Sequence, residues 1–107
     1  MTSFKDRQRA EEAKFARDEE MLFRIAARRN RLLGLWAAER MKLSPVEAEA
    51  YAKSVIQADF EEAGDEDVIR KLIGDLTSAE VEITEAEVRS ALEAKMVEAR
   101  RALMGES

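Results

Sequence analysis

The stretch Leu22-Phe23-Arg24-Ile25-Ala26-Ala27-Arg28-Arg29-Asn30-Arg31-Leu32-Leu33-Gly34-Leu35-Trp36-Ala37 decides the fold class. Within it Leu22, Ile25, Ala26, Arg29, Leu32, Leu33, Trp36 and Ala37 recur at spacings of three and four, which draws one apolar stripe along an α-helix. The pattern sets in at about Asp18 and predicts a helix ending near Met41. Gly34 lies inside it at a cost of about 1 kcal/mol relative to alanine. It is therefore expected where a second helix packs closely.

Working outward, Ser44-Pro45-Val46-Glu47 opens a second helix: Ser44 can cap, Pro45 suits the first helical position, and Glu47 can close a capping box. The apolar positions Ala48, Tyr51, Ala52, Val55, Ile56 and Phe60 keep helical period as far as Gly64, which can end the helix in a left-handed conformation. Asp65 is placed to cap a third helix with Val68, Ile69, Leu72, Ile73 and Leu76 on one face, stopping around Asp75 to Thr77. After a polar connector, Thr84-Glu85-Ala86-Glu87 repeats the capping box. It starts a fourth helix with Val88, Ala91, Leu92, Met96, Ala99 and Leu103 on one side, ending before Gly105. Each stripe alone would stay half exposed, so the four pack together. The expected fold is all-α, a small four-helix bundle (residues 19–107) with a flexible, conditionally helical N-terminal arm (residues 1–18). Trp36, Tyr51 and Phe60 sit at helical spacing on apolar faces and are expected in the core.

Composition agrees and excludes much else. The 107 residues are 46 % hydrophobic and 38 % charged, with one proline and four glycines, enough for one small core written in helix formers. There is no cysteine and no histidine, which removes disulfides, thiolate and Ser-His nucleophiles, and the usual zinc ligands. The glycines form neither GxGxxG nor a P-loop. An enzyme is not expected, and no catalytic residue or metal ligand is named. The acidic clusters Asp18-Glu19-Glu20, Glu61-Glu62 and Asp65-Glu66-Asp67 read as helix starts and solvated faces. No apolar stretch of signal-peptide length opens the chain, and no window approaches the roughly 20 apolar residues of a membrane span. A cytoplasmic protein without direct membrane insertion is expected.

Charge is divided unevenly. Residues 1–31 hold nine Lys/Arg against six Asp/Glu (+3), and residues 32–107 nine against seventeen (−8), summing to the net −5. The first twenty residues contain eleven charged ones, and Met1, Phe4 and Phe15 are their only large apolar groups. That is too little to offset an ordering cost of about 1–2 kcal/mol per residue, so this segment is expected to become helical on contact. Phe4 and Phe15 are eleven residues apart, which returns both rings to nearly one helix face after three turns. Such a segment suits a groove, and the other reading its charge allows is a solubilising tail. Its anchors would be Phe4 and Phe15, with Lys5, Arg7, Arg9, Lys14 and Arg17 meeting an acidic rim.

The densest basic patch is Arg28-Arg29-Asn30-Arg31, with Arg24 one turn earlier. Guanidinium forks match phosphate oxygens, so Arg28, Arg29 and Arg31 are candidates for a nucleotide or an acidic partner. The plainer reading is an exposed helix face with Arg29 snorkelling from the stripe. Nucleic acid is not expected, since the chain is acidic overall and only 6 % aromatic.

Lys14-Phe15-Ala16-Arg17-Asp18-Glu19-Glu20 and the run Ala27-Arg28-Arg29-Asn30-Arg31-Leu32-Leu33-Gly34-Leu35-Trp36-Ala37-Ala38 resemble the zeta inhibitor subunit of alphaproteobacterial F-type ATP synthases. Tyr51-Ala52, Asp59 and Gly64-Asp65-Glu66-Asp67-Val68 agree, and the resemblance covers almost the whole chain. It implies a four-helix bundle whose N-terminal segment enters a catalytic interface of the rotary ATPase as a helix and blocks rotation in the hydrolytic direction. The implied partner is the catalytic sector of the ATP synthase, which places the chain at the inner membrane only through that assembly. The resemblance also implies ADP or ATP as an optional ligand on the bundle, with no cofactor required. The free protein is expected to be a monomer. The runner-up is a nucleotide-sensing helical adaptor. The family it resembles often carries histidine where this chain has Arg17, so pH sensing through that position is not expected.

Overall fold

A computed structural model describes residues 4–61 and 64–105, with side-chain detail for 19–61, 64–103 and 105. Four helices follow one another: α1 (Phe4–Arg40), α2 (Pro45–Glu61), α3 (Asp65–Ser78) and α4 (Glu85–Met104). There is no strand among the described residues. α1 packs against both α2 and α4, and α3 closes the opposite side by touching α2, α4 and, more lightly, α1. The chain is thus an all-α four-helix bundle.

The core forms where the four apolar stripes meet. Leu33 and Ala37 from α1, Val55 from α2, Val68, Leu72 and Leu76 from α3, and Val88 from α4 are all fully buried, with Trp36, Tyr51 and Ile83 packed at the edge. Tyr51 is tied down by its hydroxyl, which donates to Asp75 Oδ2 at 2.8 Å, while Lys71 Nζ reaches the same oxygen at 3.0 Å. Burial first, then the Asp75 carboxylate, pushes the Tyr51 phenol up from its ordinary range.

The two capping boxes form, with a difference. At Ser44 the exchange is reciprocal: Glu47 N donates to Ser44 Oγ at 3.2 Å and Ser44 N to Glu47 Oε1 at 3.0 Å. The bonds from Ser44 hold the Glu47 carboxyl below the usual range. At Thr84 the hydroxyl accepts from Glu87 N at 3.2 Å and itself donates to Glu87 Oε1 at 3.1 Å. Asp65 does not cap α3. Gly64 takes the N-cap position at φ 140° and ψ 140° without a side-chain bond, and Asp65, already inside the helix, is drawn to Arg29 instead.

Two helix ends carry no glycine. After α1, Leu43 N donates to Ala38 O and Lys42 N to Glu39 O; after α3, Val81 N donates to Leu76 O and Glu80 N to Thr77 O. Both are Schellman closures with Lys42 (φ 58°) and Glu80 (φ 62°) in the left-handed position. Leu43 and Val81 then fold back on the apolar side as half-buried residues.

Gly34 sits where α1 and α2 cross. A Cβ there would lie 2.7 Å from Ala52 Cα, a backbone atom, and 3.3 Å from both Ala52 Cβ and Val55 Cγ2. Gly74 of α3 has nothing within 4 Å of the same construction. Gly34→Ala should therefore destabilise by about 1–3 kcal/mol, its helix-propensity gain outweighed by overpacking. Gly74→Ala should stabilise by about 0.5–1 kcal/mol. Thermal melts of the two variants beside the parent check the opposite signs.

Candidate functional site

α1 is far longer than its neighbours. Its 37 residues span roughly 55 Å at about 1.5 Å per residue, against about 25 Å for the 17 residues of α2. The longest dimension of the molecule is 65 Å, with the others 26 and 23 Å. Among the described side chains of α1, Glu19 to Arg24 are exposed and Ile25 is the first to be buried. The N-terminal half of α1 therefore extends past the bundle as a backbone continuous with the core helix. The side chains of Phe4, Lys5, Arg7, Arg9, Lys14, Phe15 and Arg17 lie outside the described residues.

At the end of the bundle where α1 leaves it, a polar network locks three helices together. Arg29 is only 3 % exposed, not snorkelling as the stripe suggested. Its Nη1 donates to Asp65 Oδ1 at 2.8 Å, its Nε and Nη2 donate to Asn30 Oδ1 at 3.1 and 2.9 Å, and Nη2 stands 3.6 Å from Asp59 Oδ2. The Asn30 amide in turn donates to Asp59 Oδ2 at 2.8 Å. α1 is thereby pinned to the end of α2 and the start of α3. A buried guanidinium requires such partners, and no buried polar side-chain atom among the described residues is left without one. Asp59, Asp65 and Asn30 were not foreseen as its partners. The available signal was Arg29 itself, a permanent charge on a core-facing stripe that had to find carboxylates.

The three arginines proposed to face phosphate therefore have different surroundings. Arg29 is committed inside the bundle. Arg28 is exposed, and Arg31 is exposed while bonding Glu49 Oε1 at 2.7 Å. Arg24, Arg28 and Arg31 line one groove with Phe23, Leu32 and Leu103. Arg24 also bonds Glu20 one turn back at 2.7 Å.

Beside that groove, Phe23, Ala26, Ala27, Ile56 and Phe60 wall a cavity of about 220 Å³ with Asn30 and Asp59 in its lining. Phe60 was expected in the core and is not there. It lies near the C-terminal end of α2, beyond the buried Ala52 and Val55, and meets Phe23 edge to face with ring centroids 5.2 Å apart. At the start of α3, Glu66 forms a two-pronged pair with Arg89, at 2.9 and 2.8 Å, which holds its carboxyl below the usual range. No cluster of acidic side chains suited to a metal ion occurs among the described residues, and no helix among them is long and apolar enough to cross a membrane.

Comparison with known proteins extends this picture. A structure solved by solution NMR superposes with a TM-score of 0.71 at 52 % sequence identity, covering 81 % of this chain and 99 % of its own. No curated protein matches. The family model for ATPase inhibitor subunit zeta matches residues 1–102, nearly the full length. The chain belongs to the ATPase inhibitor subunit zeta family, whose part is inhibitory regulation of the ATP synthase and not catalysis.

Proposed function

We propose that this chain inhibits ATP hydrolysis by inserting residues 1–18 as a helix into a catalytic interface of the ATP synthase, while the bundle stays outside. One observation carries the reading: α1 is a single unbroken helix from Phe4 to Arg40, and among its described side chains none before Ile25 is buried. A helix whose backbone runs on past its bundle is a ready-made insert. Phe4 and Phe15 are the apolar anchors, and Lys5, Arg7, Arg9, Lys14 and Arg17 meet an acidic rim. The inserted helix holds one interface closed and stops rotation in the hydrolytic direction. Turnover must open the interface first, so inhibition sets in faster during ATP hydrolysis than in its absence. The test is the hydrolysis rate of isolated catalytic sectors with the full chain added before or after ATP. Onset dependent on turnover supports the reading; an unchanged rate in both arms overturns it.

A second reading, nucleotide binding on the bundle, is favoured by the groove that sets Arg24, Arg28 and Arg31 beside Phe23. Guanidinium forks would take the phosphates of ADP or ATP and the aromatic ring would take the base. Calorimetric titration with ADP should give saturable heat that Arg28→Ala weakens about tenfold. Heat unaffected by Arg28→Ala removes this groove as the site. Arg29, occupied by Asn30, Asp59 and Asp65, takes no part in it.

A further inference from the structure

Apolar side chains face outward at the end of the bundle where α1 emerges: Leu22 is 62 %, Phe23 52 % and Phe60 67 % exposed. One exposed apolar residue needs no explanation, but a cluster of them at one end does. The geometry of α1 says what covers it. Leu22 follows Phe4 by eighteen residues, which is five full helical turns, and follows Phe15 by seven, about two turns. The three positions fall on one line of one helix, and the same line continues through Ile25, Arg29 and Leu33 into the bundle. Neither glycine nor proline interrupts residues 4–33, so when the arm is helical it continues the line of α1 without a kink. A partner that grips the line at Phe15 meets Leu22 about 10 Å further along. One flank of this surface is basic: Arg28, which makes no ion pair among the described residues, lines the adjoining groove with Arg24 and Arg31, themselves paired with Glu20 and Glu49, while Asp59 and Glu61 lie on the side of Phe60.

We propose that Leu22, Phe23 and Phe60 form a second docking surface, which seats an apolar, acid-rimmed face of the same ATPase that receives the arm. The proposal rests on the reading that α1 enters that ATPase. Arm and bundle rim then act as two linked contacts on one partner. The rim holds the arm in register and slows its release.

The full-length chain with Phe23→Ser and Phe60→Ser is titrated against catalytic sectors during turnover, beside a chain with Phe4→Ala and Phe15→Ala, and release from immobilised sectors is followed. The serine pair should raise the half-inhibitory concentration about tenfold and speed release by a similar factor, while the thermal midpoint falls by only a few degrees, since both rings are more than half exposed and mainly their mutual edge-to-face contact is lost. Unchanged inhibition by the serine pair together with loss in the alanine pair overturns the docking surface and leaves the arm reading standing. Weakened inhibition by the serine pair together with full inhibition by the alanine pair supports the surface and overturns the arm anchors. Self-association of the free chain that the serine pair abolishes, with inhibition intact, would assign the patch to a second copy and overturn the proposal. If the serine pair melts early, Arg28→Glu serves instead. It should slow association and weaken its salt dependence, and an unaltered association rate at low salt overturns the proposal.

Discussion

Replacing Phe4 and Phe15 together by alanine should raise the concentration needed for half inhibition of ATP hydrolysis by about a hundredfold or more, and leave the thermal midpoint of the bundle in place. The size follows from the composition of the arm. Met1, Phe4 and Phe15 are the only large apolar groups among its first twenty residues, so no neighbour can replace two lost rings. Aromatic anchors that fill pockets are worth about 2 kcal/mol or more each, and about 1.4 kcal/mol is a factor of ten. The cationic residues around them lie on the rim, where single substitutions should alter salt dependence and association rate more than final affinity. The unchanged melting midpoint is expected because the buried core that Leu33, Val55, Leu72 and Val88 form lies eighteen residues or more beyond Phe15 in the chain. Hydrolysis titrations and circular-dichroism melts of the same preparation check both halves. A double variant as potent as its parent would show that other residues anchor the arm.

Arg29→Ala should destabilise the bundle by about 2–4 kcal/mol, whereas Arg28→Ala, its immediate neighbour, should stay within about 0.5 kcal/mol of the parent. The loss at Arg29 has three sources. A buried side chain leaves a hole. Asn30, a residue only 1 % exposed, loses both Arg29 donors to its side-chain oxygen Oδ1. Asp59, mostly buried, loses the nearby positive charge. The bond to Asp65 counts for less, because that carboxylate is 56 % exposed and water replaces much of it. For a domain of this size the thermal midpoint should fall by about 10 °C or more. A melting curve for Arg29→Ala that overlays that of Arg28→Ala would mean that the network is dispensable. The contrast also separates stability from function: a residue that holds α1 to the bundle affects inhibition only through folding.

Residue by residue, what the sequence discloses depends on how local the physics is. Ser44 and Thr84 announce their helix starts because a cap is made within four residues of chain. Gly34 announces a close crossing because glycine in a helix is costly unless something needs the space, and Ala52 does. The ends of α1 and α3 are less plain. Lys42 and Glu80 adopt the left-handed conformation without the glycine that usually marks it, held by the Schellman bonds and by Leu43 and Val81 turning inward. Phe60 reads as core from its period alone, yet helical period fixes a face and not how far along that face neighbouring helices reach. Asp65 illustrates the same limit in electrostatics. Its local role as a cap is outcompeted by Arg29, thirty-six residues away in sequence. The candidate site is legible to a similar degree. The arm and the arginine patch stand out in composition, whereas the pairing that commits Arg29 and leaves Arg28 facing solvent exists only once three helices meet.

The central claim is that residues 1–18 occupy a catalytic interface of the ATPase, and the absence of native cysteine makes it directly measurable. Ala10→Cys places one thiol in the middle of the arm, where a photoactivatable cross-linker can be attached without touching Phe4 or Phe15. The labelled chain is added to catalytic sectors during ATP hydrolysis, illuminated, and the attached peptides are identified by mass spectrometry. The account predicts attachment to residues at a catalytic subunit interface, in proportion to the activity lost and only after turnover. Inhibited sectors with the label attached solely to outer surfaces, or to no ATPase subunit, would contradict it.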